Sequence, residues 1–259
     1  IVELCHHPLA LEPGIAPADA DRYRASETAA MALAAGVIVT GRATARIVAQ
    51  DFGVPAERLA VAEPGTEPAP RAQGSGRAAP HLIAVGSVIA RKGYDVLIDA
   101  MARLAGLGWT LDIVGSLAHA PAIVAEVQNQ IQRAGLSGRI RLRGALDANS
   151  LAQAYDKADL FVMSSHYEGY GMVVAEAMAR GLPVVATRAG AVADTLDDRA
   201  GLKVPVNSIQ ALAEAIQDMI VNADKRSRFS DGSWAAGQSL PRWGDTAAAI
   251  ARAIREFVP

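Results

Sequence analysis

The chain has 259 residues, 51% apolar and 20% charged, with a formal net charge of −2. That suits one large or two medium globular domains and excludes a general nucleic-acid binder, which would carry a basic surface. A single cysteine, Cys5, excludes an intramolecular disulfide framework, and no apolar run reaches the ~18 residues that cross a bilayer. A cytoplasmic protein is expected, with peripheral contact at the inner membrane face left open.

The first five residues read as a strand that starts at once, without an initiator methionine or polar lead-in. His6 and His7 follow; neighbours on a strand point to opposite faces, so a two-histidine metal site is not expected. Helices are predicted over 22–35 and 43–52, and strands over 37–40 and 59–62. Asp19-Ala20-Asp21 reads as a cap for the first of these helices rather than a metal site. Residues 67–80, rich in Pro, Gly, Ser and Ala, read as a linker. Beyond them, apolar strands at 82–85, 111–114, 140–142, 160–163, 184–186 and 202–204 alternate with helices at 94–104, 120–134, 150–157 and 209–221. Continuous apolar strands separated by helices imply a parallel sheet covered on both faces, an α/β Rossmann-like domain. Its ligands should lie beyond the carboxyl ends of the strands. A last helix is predicted over 243–257.

Chemistry concentrates in two loops. Gly86-Ser87 leads to Arg91-Lys92-Gly93 between a strand and a helix, where adjacent cations and a helix N-terminus can neutralise a diphosphate. A solvated Arg-Lys pair is the competing reading. The second loop lies in Ser164 to Thr187, SSHYEGYGMVVAEAMARGLPVVAT, where seven residues separate Glu168 from Glu176 across a Gly-Tyr-Gly turn. That turn opens a helix at Met172, so the first N–H groups, at Gly171, Met172 and Val173, can hold phosphate or sugar oxygens. Both carboxylates are expected to face one cleft, although two glutamates beside a glycine turn also suit a solvated helix face.

The whole string closely resembles the E-x7-E segment of retaining GT-B glycosyltransferases, the group 1 or family 4 enzymes, with Tyr170 for the usual Phe and Met172 for the usual Leu. The resemblance implies transfer of a hexose from a nucleoside diphosphate sugar to an unidentified acceptor hydroxyl on a lipid, saccharide or small molecule. It assigns Lys92 and Arg91 to the diphosphate, Glu176 to the ribose, Glu168 to the sugar and His6, with His7 as alternative, to the donor sugar. Gly86 and Ser87 fall in the phosphate loop, with Ser87 where an arginine is usual. Gly115, Arg143 and Gly144 fall in turns that line the base pocket through backbone groups, or are ordinary turn residues. Asp194 is expected to act as a structural cap, and 63–66 as a hinge. No cofactor and no metal are implied.

By the same resemblance, 1–66 corresponds to part of an acceptor-side domain, 67–80 to the linker, 81–240 to the donor domain and 241–259 to a helix crossing back. Most of an N-terminal domain is then expected to be missing, so that the chain alone transfers no sugar and self-associates through its incomplete domain. The alternative is a nucleotide-sugar-binding fragment or pseudoenzyme. An epimerase or a phosphorylase fits less well.

Overall fold

The computed structural model describes residues 1–258, so that of the expected crossing segment 241–259 only Pro259 lies outside the described residues. The elements in chain order are β1 (Val2–Cys5), α1 (Pro17–Leu33), β2 (Gly36–Val39), α2 (Arg42–Asp51) and β3 (Leu59–Val61). After the irregular 67–80 segment come β4 (His81–Val85), α3 (Tyr94–Arg103), β5 (Thr110–Val114), α4 (Pro121–Arg133), β6 (Ile140–Gly144) and α5 (Ala148–Asp156). Then follow β7 (Leu160–Met163), α6 (Met172–Ala179), β8 (Val184–Thr187), α7 (Val192–Thr195) and β9 (Gly201–Val204). Three helices close the chain: α8 (Ile209–Val221), α9 (Ala223–Gln238) and α10 (Trp243–Phe257).

β1, β2 and β3 form a three-stranded sheet in that order, and the other six strands form a second sheet in the order β6-β5-β4-β7-β8-β9. All pairings are parallel. In the large sheet the chain winds outward from β4 one way and then from β7 the other way, which makes the crevice between these two strands the topological switch point. The alternation along each strand divides two cores. Leu82, Leu111, Ile113, Val162 and Val185 pack with α3, α4 and α8 on one face. Ile83, Phe161, Met163, Val184 and Ala186 pack with α5 and α6 on the other. Burial on both faces is why these strands read as apolar runs.

The small sheet is covered by α1 and α2 on one face, through Met31, Val48 and Phe52. On its other face Ala253 and Phe257 of α10 pack against Ile38 and Ala62. Segments 63–66 and 241–246 are stitched together: Thr66 N–H donates to Pro241 O at 2.8 Å and Thr246 Oγ1 to Glu63 O at 2.7 Å. The 67–80 segment lies against the larger sheet. Ala72 N–H donates to Arg180 O at 2.9 Å, and Asp159 accepts from Ser75 N–H at 2.9 Å and His81 N–H at 2.7 Å.

Four expectations need correction. α1 begins at Pro17, a residue preorganised for the first helical turn, so Asp19 and Asp21 sit inside the helix and neither caps it. Asp194 likewise lies within α7, and its carboxylate pairs with Arg46 of α2 at 2.8 Å, joining the two sheets' layers. α9 was not expected, because its Gly232, Gly237 and serines give no apolar stripe; contact with α6 holds it instead. Ser230 and Ser233 donate to Gly181 O and Leu182 O at 2.8 and 2.6 Å. The fourth correction, to the shared cleft of the two glutamates, belongs with the site.

Candidate functional site

The loops that follow β4 and β7 flank the switch point and carry the two motifs. After β4, Gly86 at φ +152 turns the chain toward a single 3-10 turn, Ala90–Lys92, which ends on Gly93. After β7, the chain passes Ser164 and Ser165 to Glu168 and reaches Gly171, the N-cap of α6, at φ +87. A side chain would strain that left-handed backbone, so glycine is required where the turn becomes helix. The first intrahelical bond is Val174 N–H to Gly171 O at 2.8 Å, which leaves the N–H groups of Met172 and Val173 ahead of it for a ligand.

The loops meet through an ion pair. Lys92 Nζ donates to Glu168 Oε1 at 2.6 Å, Ser165 Oγ donates to the same oxygen at 2.6 Å, and Arg91 Nη1 approaches Oε2 at 3.4 Å. Glu168 is only 7% exposed. Burial pushes its carboxyl up, but Lys92, Ser165 and Arg91 together outweigh burial and hold it below the ordinary carboxylate value. It is therefore a charged acceptor at neutral pH, not a proton donor.

Residues of the small sheet complete the site. Gly169 packs so closely on the loop after β1 that a Cβ would sit 2.4 Å from His6 O. Thr40 Oγ1 donates to that same carbonyl at 3.2 Å, and Thr44 Oγ1 to Gly169 O at 3.2 Å. Arg91 reaches across: Nε donates to Glu12 Oε1 at 3.1 Å and Nη1 to Tyr167 O at 2.9 Å. Glu12 Oε2 lies 3.0 Å from His7 Nε2. Burial lowers the His7 pKa, against the pull of Glu12, so the ring is neutral at pH 7. Because the Glu12 carboxylate only accepts, Nε2 carries the proton and Nδ1 is left a bare, buried acceptor without a partner among the described residues.

These groups line a cavity of about 290 Å³ that includes His6, His7, Arg91, Lys92 and Glu168 together with residues 169–173. The structure thus brings His6, Lys92, Arg91, Glu168, Gly171, Met172 and Val173 together. Glu176 does not share this cavity: its carboxylate accepts from the Tyr155 hydroxyl of α5 at 2.9 Å. The eight-position step between the glutamates spans a turn as well as a helix, so helical periodicity does not carry both to one face. Gly86, Ser87 and Gly115 sit side by side beyond the strands, with Gly86 N–H on Val114 O at 2.8 Å and Gly115 N–H on Gly144 O at 3.0 Å. Arg143 turns its side chain away, onto Asp112 at 2.6 Å. Among the described residues, no group of three or more His, Cys, Asp or Glu could hold a metal ion. None of their helices is long and apolar enough to cross a membrane.

Glu12 was not anticipated. It stands in an irregular stretch where no periodicity marks it, and only the fold brings it to Arg91. Ser165 was visible in the motif but carried no signal of its contact with Glu168.

Chemically, the arrangement offers a charged carboxylate for hydroxyl groups beside an ammonium and a helix start for anionic oxygens. Comparison with known proteins gives the family. Residues 67–233, more than half of the chain, match the family model described as glycosyl transferases group 1. A D-inositol 3-phosphate glycosyltransferase of Xylanimonas cellulosilytica is 28% identical over 93% of this chain and 61% of its own length. The lipopolysaccharide core biosynthesis glycosyltransferase LpsE of Rhizobium meliloti is 32% identical over 59% of this chain and 43% of its own. The chain spans about half the length of such curated relatives. Among solved structures, sucrose-phosphate synthase from Thermosynechococcus elongatus superposes with a TM-score of 0.85 at 26% identity, covering 98% of this chain and 67% of its own. Anabaena HepE, solved with UDP and glucose, gives a TM-score of 0.85 at 23% identity over 98% of this chain and 71% of its own, a likeness of fold.

Proposed function

This chain belongs to the group 1 glycosyltransferases of the GT-B fold, and from that premise we propose that it binds the nucleoside diphosphate hexose used in a retaining transfer. The observation that carries the reading is the 2.6 Å pair between Lys92 and Glu168 at the switch point, beside the start of α6. An ammonium has three donors, and Glu168 takes one; the others suit the diphosphate. The N–H groups of Met172 and Val173 suit its remaining oxygens or the sugar hydroxyls. Glu168 accepts from the sugar hydroxyls, with His6 on the opposite wall, and Glu176 takes the ribose from beyond the cavity.

As the glycosidic bond breaks, the leaving diphosphate gains negative charge and the anomeric carbon positive charge. Lys92 and the helix start stabilise the first more than they stabilise the ground state, and the Glu168 carboxylate stabilises the second. Glu168 is held charged and already accepts hydrogen bonds from Lys92, Ser165 and Arg91, which suits an electrostatic role better than proton transfer. The acceptor hydroxyl would attack from the face the diphosphate leaves, giving retention. We propose no metal in this step, with Lys92 and the helix start carrying the charge instead.

Calorimetry with UDP, GDP and ADP in EDTA tests the reading, followed by release of the nucleotide from the matching hexose donor. Binding of one of the three without a divalent ion is expected; failure of all three to bind a folded chain would overturn it. A second reading, binding without transfer, is favoured by Ser87 in place of the usual arginine and by Arg91 being engaged with Glu12 and Tyr167. It predicts the same titration and no product with any acceptor.

A further inference from the structure

A larger cavity, of about 690 Å³, lies along the edge strand β6, enclosed by α5 and the 73–77 segment, and shares no lining residue with the one around Glu168. Its floor is Asp112, 3% exposed in the middle of β5. Arg141 Nε donates to one carboxylate oxygen at 2.8 Å and Arg143 Nη1 to the other at 2.6 Å. An unpaired carboxylate there would be very costly, so the two arginines account for its burial. Each guanidinium uses a single N–H on Asp112 and keeps four more, on side chains that are 60% and 42% exposed.

Two further cations line the same space from separate elements: Arg77 from the segment before β4 and Lys157 just after α5. Neither side chain has a hydrogen-bond or ion-pair partner among the described residues. An ion triad explains Arg141 and Arg143; it does not explain the convergence of Arg77 and Lys157. His81, also in the lining, is held below its ordinary value by burial and adds no charge at neutral pH. Four permanent cations therefore face two carboxylates, Asp112 and Asp156, with a third, Asp159, behind Ser75 and His81, and the walls keep a net positive charge. A net positive charge carried on guanidinium and ammonium donors suits a phosphate group. The volume falls in the range of small-molecule pockets and exceeds what phosphate alone fills. The amide of Gln153 and the hydroxyl of Ser150 add polar groups for an organic moiety.

We propose that this cavity is a second anion site, separate from the donor cleft, that binds a small phosphate monoester through Arg77, Arg141, Arg143 and Lys157. Calorimetry of the full chain at low salt, with glycerol 3-phosphate as the probe, tests it. The exposed pair Arg77→Ala/Lys157→Ala should keep the parent melting temperature and bind the probe at least tenfold more weakly. The pair Lys92→Met/Glu168→Gln, which removes the ion pair of the donor cleft, should bind it as the parent does. Unchanged affinity in the first variant, loss in the second, or no binding by the parent would each overturn the proposal.

Discussion

Two residues carry the proposed donor site, and their ion pair makes them interdependent. Breaking a buried ion pair by removing one partner costs about 3–5 kcal/mol, whereas replacing both with uncharged groups costs far less. Lys92→Met should therefore destabilise the fold more than Lys92→Met/Glu168→Gln does, as denaturant unfolding will read; equal losses would mean that the pair is not coupled. In the folded chain, Lys92→Ala should weaken nucleoside diphosphate binding by about 1.5–3 kcal/mol, the worth of a charge-assisted hydrogen bond. Parent-like affinity in calorimetry would remove Lys92 from the phosphate. The depressed pKa of Glu168 fixes a sign as well. Its folded value lies below its unfolded one, so its contribution is full above the unfolded value and is lost as pH falls through the folded value. Glu168→Gln should thus flatten the acid limb of stability against pH below about 4. An unaltered limb would show that the pair contributes nothing there.

At the scale of elements, α9 tests how far contact replaces propensity. A Cβ on Gly237 would lie 2.2 Å from Met178 O, so α9 and α6 can approach this closely only with glycine there. Gly237→Ala should cost about 1–3 kcal/mol through the forced separation. Gly138→Ala, where a Cβ meets nothing within 4 Å and φ is ordinary, should be neutral or slightly stabilising. Thermal unfolding of both variants separates a packing effect from a general effect of removing glycine. The same packing explains which helices were legible. α3, α8 and α10 carry an apolar stripe that any helical reading finds, while α9 is held by serine hydroxyls and glycine contacts that leave no period.

For the whole molecule, we propose that the small sheet sets the behaviour in solution. β1 is an edge strand with unpaired backbone on one side; Leu4 on it is 48% exposed, and Leu33 at the end of α1 is 86% exposed. Such an edge pairs with other chains. The 259-residue chain should self-associate with rising concentration, and Leu4→Lys/Leu33→Lys should shift it toward the monomer in light scattering. A parent chain that stays monomeric at high concentration would contradict this. The seam between the sheets makes a second demand: Gly169 and Thr44 tie the loop of Glu168 to the small sheet and Arg46 ties α7 to it, so the site depends on both units.

By itself the sequence determined the α/β class, the parallel order of apolar strands and the two loops with Lys92 and Glu168, because burial on two faces and turn chemistry are local properties written in residue order. Only the tertiary structure decided that Lys92 and Glu168 form one buried pair, that Glu176 stands apart on Tyr155, and that Arg143 points to Asp112 rather than to the cleft. It also decided that Glu12 holds Arg91, across 79 positions of chain. Those contacts join residues from separate strands and loops, and their distances depend on how the sheets cross and how closely glycines let backbones approach, which no local pattern records.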